Sequence, residues 1–294
     1  MGQILKNDLL TVVIDNHGAE LQSIKNNHTQ HEYLWQGDKA FWGRRSPVLF
    51  PIVGSVWDGK FRMDGKEYSM GQHGFARDSD FEVMTDSPED EAWFVLEAND
   101  ATLERYPRRF RLEIGYRLEE ARLTVMWRVK NQDVKDMSFQ IGAHPAFNYP
   151  EFNPADAVHG YFLFDTRGPL VSQLLKEKGC ISGDTTDIQL DEEGMLPLTG
   201  KTFSINTIML QDRQVRRVSM LDKQHRPYVS LLFNAPVVGL WSPSPAAPFV
   251  CIEPWWGRCD RMNFEDDFSQ RDYVNTIKPG ETFEASYMVI FDNF

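Results

Sequence analysis

The sequence predicts an all-β chain folded as a large antiparallel β-sandwich, and three observations carry that expectation. Phe110, Leu112, Ile114, Tyr116 and Leu118 alternate with Arg111, Glu113, Gly115 and Arg117, and the alternation resumes at Leu123, Val125, Trp127 and Val129. Period-two patterning of this kind is a hairpin with one wet face, which antiparallel sheets permit and parallel ones seldom do. Aromatics reach 13%, with eight Trp and twenty Phe, while Pro and Gly are scattered, as in a turn-rich β protein. Short apolar runs separated by turn residues continue along the chain without a linker, repeat or low-complexity tract, so residues 1–294 are expected to form one domain.

In chain order, Leu9 to Ile14 and Leu21 to Ile24 read as strands joined by a turn at Asn16-His17-Gly18-Ala19. His28 and His31 fall in a polar loop and are expected to be solvated. Arg44 and Arg45 precede the proline-broken apolar run Val48 to Val53, as cations at the rim of a core element or as a surface pair answering nearby acids. Asp58-Gly59 and Asp64-Gly65 are hairpin signals around Phe61 to Met63. In Gln72-His73-Gly74-Phe75-Ala76-Arg77, His73 sits at an expected strand-to-loop transition, where its imidazole either faces a cavity or is satisfied by backbone. Leu103 to Arg109 holds a short helical turn that stops before Pro107.

After the hairpin, Phe139 to Ala143 reads as an apolar strand ending at His144-Pro145, and Asp184 to Leu196 as an acidic, solvated loop. Val218 to Leu221, Tyr228 to Phe233 and Val237 to Trp241 read as strands, as does Phe283 to Phe291 after the Pro279-Gly280 turn. Phe249 to Ile252 is a buried run followed by Glu253, Pro254, Trp255 and Trp256. Proline cannot donate to a ladder, so the chain is expected to leave the sheet at Glu253.

Composition narrows the function. A net charge of −12, with no basic stripe interleaved with aromatics, disfavours nucleic acid and anionic membranes as partners. The first residues lack a signal peptide's basic head and apolar stretch, and no run is long enough to span a bilayer, so a cytoplasmic location is expected. Cys180, Cys251 and Cys259 lack the close pairing of a disulfide framework or zinc site and read as packing residues. No nucleophile elbow, phosphate loop or dinucleotide fingerprint is present.

What remains is an acid/base set. A carboxylate beside two indoles is partly desolvated, which raises its proton affinity towards that of a general base. A structural glutamate beside core tryptophans has the same local sequence. An imidazole such as His144 or His73 can give a proton near neutral pH, and set across a substrate from Glu253 it suits a reaction that removes a proton at one oxygen and delivers it to another. A His/His/Glu metal site finds no support in histidine spacing.

Together, Arg44-Arg-Ser-Pro-Val-Leu-Phe-Pro-Ile-Val-Gly54, Gln72-His-Gly-Phe-Ala-Arg77, His144-Pro-Ala-Phe147 and Phe249-Val-Cys-Ile-Glu-Pro-Trp-Trp-Gly257 resemble the aldose 1-epimerase (galactose mutarotase) family, and within it the LacX-like branch. The resemblance implies a galactose-mutarotase-like β-supersandwich and a carbohydrate isomerase that interconverts the anomers of a free hexose, without metal or nucleotide, as a monomer or homodimer. It implies Glu253 as general base on the anomeric hydroxyl and His144 as general acid at the ring oxygen, a sugar ring's breadth apart. His73, Arg44 or Arg45, Arg77 and Trp255 would bind the monosaccharide. Where many relatives carry an aspartate that holds sugar hydroxyls, Asn206 stands; an amide bonds a hydroxyl without charge. The same resemblance leaves open a non-catalytic sugar-binding protein and a hexose-6-phosphate 1-epimerase, in which the arginines would clamp phosphate.

Overall fold

The computed structural model describes residues 2–292, and its ladders between strands are antiparallel. Two large sheets dominate. The first has nine strands, and its centre is Pro227–Phe233, Thr282–Phe291, Arg122–Asn131 and Phe110–Glu119, side by side. The second has eight and runs through Thr207–Gln211, Val237–Trp241, Phe249–Trp256 and Ile141–Ala143, with Ala146–Asn148 pairing the first half of the Phe249–Trp256 strand. A three-stranded sheet is built from Gln3–Lys6, Leu10–Ile14 and Leu21–Asn26. No described helix is long and apolar enough to cross a membrane.

The predicted hairpin shows how the sequence pattern becomes packing. Its register sets Leu118 opposite Leu123, Tyr116 opposite Val125, Ile114 opposite Trp127 and Leu112 opposite Val129, so all eight side chains share one buried face. Directly opposed pairs of this kind are the stabilising unit of a sheet. The other face carries ion pairs such as Arg111 with Glu113, and Arg128 lies over the Trp93 ring. Trp127 meets Trp256 of the second sheet edge-on, with ring centroids 5.5 Å apart. The two sheets are joined there in one apolar cluster that extends from Leu5 to Phe291.

Four expectations are corrected. The Phe249–Trp256 strand does not end at Glu253 but continues through Pro254, which stands opposite Val238. Ile252 donates to Pro145 O at 3.3 Å, and by the alternation of the ladder the absent N–H of Pro254 faces the same neighbour. That neighbour is broken at His144-Pro145, between Ala143 and Ala146, so no ladder bond is lost. The region Asp184 to Leu196 is partly strand: Ile181–Ile188 is an edge strand and Met195–Pro197 another. An exposed edge keeps polar side chains, which hid it in the composition. The short helix is Asp100–Arg105 and begins earlier than expected, because Asn99 and Thr102 form a capping box. His31 is not a free solvated ring: its Nε2 lies 2.7 Å from the Tyr228 hydroxyl.

The turn that follows the long strand is held by a buried ion pair. Asp260 accepts from Arg271 Nε at 2.6 Å and from Trp57 N at 2.9 Å, and both charged side chains are almost wholly buried. Truncating one partner of such a pair strands the other charge, at a cost of about 3–5 kcal/mol. Asp260→Ala is therefore expected to lower unfolding stability by about that amount in urea denaturation, and adding Arg271→Met to restore much of it. A single-mutant loss below about 1 kcal/mol, the range of surface pairs, would show that the pair does not hold this turn.

Candidate active site

The Phe249–Trp256 strand sends its two faces to different places. Val250, Ile252 and Trp256 enter the core between the sheets, whereas Phe249, Cys251, Glu253 and Trp255 line up on the opposite face. On that face Glu253 stands opposite Gly239, and Trp255 stands opposite Gly142 and Val237. A Cβ at Gly239 would come 2.5 Å from the Trp255 ring, and one at Gly142 would come 2.7 Å from it. The two glycines thus leave the space in which the indole lies, while its Nε1 donates to Ala143 O at 3.2 Å. Trp255 forms a fixed wall beside the carboxylate.

His144 follows the Ile141–Ala143 strand at the break that faces Pro254. Its Nε2 is 3.2 Å from Glu253 Oε2, so the two groups are in ion-pair range and not a ring's breadth apart. The contact is out of hydrogen-bond alignment, and both Glu253 Oε2 and His144 Nδ1 are buried without a partner. Trp42 stacks on the imidazole with centroids 4.7 Å apart, and Trp241 and His73 meet it edge-on at 5.6 Å. Burial pushes Glu253 well above the usual carboxylate range. Burial pushes His144 down, and the charges of Arg77 and Arg44 push the same way. The Trp42 face opposes this, because an indole stabilises a cation laid against it.

His73 lies in a tight turn with φ +66°, rather than at a strand end. Gly54 N donates to His73 Nδ1 at 3.1 Å, and His73 N donates to Gly54 O at 2.8 Å. An acceptor Nδ1 belongs to a neutral imidazole whose Nε2 carries the proton, so His73 is held as a donor. Burial also lowers its pKa well below the ordinary value, with the His144 and arginine charges adding to the effect.

Glu253, His144, His73, Arg77, Asn206 and Trp255 border one cavity of ≈ 250 Å³. That volume is just below the range usual for drug-sized ligands and limits the occupant to a small molecule. Arg77 donates to Gln72 O at 2.7 Å, and its Nε is buried without a partner. Burial lowers its pKa to about 10, which leaves it charged at neutral pH. Asn206 sits at φ +77°, a conformation that asparagine tolerates better than most residues. Arg44 and Arg45 do not border the cavity. Arg44 pairs with Asp78 at 2.8 Å behind Arg77, and Arg45 turns away to the Gln22 carbonyl and side chain. Trp42, Trp241, Gln72, Thr207 and Cys259 complete much of the lining and were not singled out from sequence. Trp42 lies outside any periodic run and packs both on His144 and against the cluster that holds Trp35 and Phe249.

The family description Aldose 1-epimerase matches residues 3–287. The chromosomal LacX protein of Lactococcus lactis subsp. lactis is 29% identical over 299 residues, covering 98% of this chain and 99% of that protein. Among solved structures, a galactose mutarotase related enzyme from Lactobacillus acidophilus superposes with TM-score 0.92 at 32% identity, covering 100% of this chain and 98% of the other. A galactose mutarotase-like protein from Lactobacillus casei gives TM-score 0.92 at 30% identity, covering 99% and 100%.

The glycine bed under Trp255 makes a prediction. Gly239→Ala or Gly142→Ala forces the indole aside, and overpacking of this kind costs about 1–3 kcal/mol. Chemical denaturation is expected to read that loss, accompanied by a red shift of tryptophan emission. Unchanged stability and emission in both variants would mean that the indole does not depend on those gaps.

Proposed function

The chain belongs to the aldose 1-epimerase family, and from that premise we propose that it interconverts the α and β anomers of a free hexose. The observation that carries the reading is a buried carboxylate and a buried imidazole, each with an unpartnered polar atom, on one small cavity walled by indoles. Tryptophan faces pack well against the C–H faces of a sugar ring.

In the proposed reaction Glu253 takes the proton of the anomeric hydroxyl while His144 delivers one to the ring oxygen. The bond between the anomeric carbon and the ring oxygen breaks, and an open-chain aldehyde results. Rotation of the aldehyde and reversal of both transfers closes the other anomer. Turnover draws on the carboxylate–imidazolium arrangement of the pair and passes through carboxylic acid and neutral imidazole. The pair holds one proton throughout, so no net charge is created in a desolvated site. Burial favours the neutral arrangement, which makes Glu253 a stronger base and His144 a stronger acid. His73, as a fixed donor, and Arg77 and Asn206 are assigned to the hydroxyls.

A second reading has one observation in its favour. Asp78 answers two guanidiniums, bonding Arg44 at 2.8 Å and reaching Arg77 at only 3.8 Å. Arg77 is left able to receive an anionic group, as on a hexose phosphate. Comparing anomer exchange of glucose and glucose 6-phosphate separates the two.

Polarimetry or exchange NMR on freshly dissolved α-D-glucose and α-D-galactose is expected to show relaxation accelerated by the protein. Glu253→Gln and His144→Gln are each expected to lower kcat by about 10²–10⁴-fold, and the double variant by much less than the product. If neither free nor phosphorylated aldoses relax faster, the protein does not turn over these sugars, and saturable quenching of tryptophan would then mark a binding protein.

The pH profile follows from the shared proton. A second proton must be forced onto a pair whose imidazole lies below the ordinary 6.5, and the last must be taken from a carboxyl raised above its ordinary 4.5. The acid limb of activity is expected below pH 6.5. An acid limb at or above that value contradicts the one-proton pair.

A further inference from the structure

Cys251 stands two residues before Glu253, and the strand's alternation therefore puts its thiol on the same face as the carboxylate, one step along the row. His144 arrives from the neighbouring chain where Ile252 N meets Pro145 O. A donor atom from each of His144, Cys251 and Glu253 lies within 4.8 Å of the other two, and among the described residues no other trio of His, Cys, Asp or Glu does so. All three residues are buried. We infer that His144, Cys251 and Glu253 form a site for a thiophilic divalent cation of the zinc and cadmium class, set behind the cavity wall.

The chemistry of the donor set supports this. A thiolate, an imidazole nitrogen and a carboxylate oxygen are the ligands of a tetrahedral zinc-type site, with metal–ligand distances of about 2.0–2.3 Å. Tetrahedral geometry then separates the donors by about 3.4–3.7 Å. The His144–Glu253 distance of 3.2 Å is close to that, and the remaining adjustment is within the reach of side-chain rotation. Charge balances as well. Binding releases the thiol proton and the proton that His144 and Glu253 share, and one thiolate with one carboxylate neutralises the dication, so a charge-neutral unit occupies a desolvated place. His144 and Glu253 border the cavity, which is the way in, and Cys251 lies behind them. The unpartnered His144 Nδ1 lacks the supporting bond that resident metal sites usually give their histidines. The site is thus suited to a reversible ion rather than a permanent one, and an ion seated there engages both groups assigned to proton transfer.

Titration of the full chain with Co²⁺ tests this without reference to turnover. The expected result is one equivalent bound, with thiolate-to-cobalt charge-transfer absorption in the near ultraviolet and the visible bands of a tetrahedral ion. Cys251→Ala is expected to remove the charge-transfer band and weaken Co²⁺ and Zn²⁺ binding by roughly ten- to a hundredfold or more. Cys259→Ala, which deletes the one thiol among the residues bordering the cavity, is expected to leave both unchanged. The wild-type and Cys259→Ala spectra keep the test decisive should Cys251→Ala fail to fold. A wild-type spectrum without a thiolate band overturns the assignment, as does a band that disappears with Cys259 or persists without Cys251.

Discussion

The site depends on two chain irregularities that face each other. Pro254 has no N–H to offer, and the strand that would have received it is interrupted at His144-Pro145. In a regular sheet a proline at the centre of a strand would waste a ladder bond, and a histidine at a strand break would turn to solvent. Set opposite each other, the two irregularities cancel. The strand continues to Trp256, and the gap it passes is filled by an imidazole lying against Glu253. The carboxylate needs this arrangement, because a strand interior buries its oxygen with no backbone donor to satisfy it.

Low dielectric gives the pair its character. An isolated buried carboxylate or imidazolium is expensive, whereas a pair that owns one proton is neutral in either arrangement. The walls are chosen accordingly: Trp42, Trp241 and Trp255 exclude water without adding charge. The Trp42 face keeps the imidazolium form within reach, so the proton's position is set by the occupant of the cavity and not by bulk solvent.

Much of this was legible in the sequence, and the parts that were not have physical reasons. The Phe110–Asn131 hairpin was readable because one of its faces is wet, so the alternation survives in composition. The Phe249–Trp256 strand is buried on both faces, its alternation is invisible, and proline was read by its general rule rather than by its local partner. His144, His73 and Glu253 stood out as ionisable residues in apolar runs and do converge, as do Arg77, Asn206 and Trp255. Arg44 and Arg45 shared a motif but are engaged elsewhere, Arg44 by Asp78 and Arg45 by Gln22. Cys251 read as packing and does pack, against Trp35, Ala146 and Phe249, while its nearness to His144, 107 positions away along the chain, could not be read from spacing.

Asn206 takes its sense from the charges around it. Glu253 is the sole carboxylate among the residues bordering the cavity, and Arg77 the sole guanidinium. Arg77 and Arg44 lower the proton affinity of His144. Glu253 lies 3.2 Å from that imidazole, so the same positive field also favours its carboxylate form. An aspartate at position 206 would add a negative charge to the same small, poorly screened cavity, raising His144 and offering Arg77 a partner. The amide keeps a hydrogen-bonding group at that place and leaves the field of Arg77 intact.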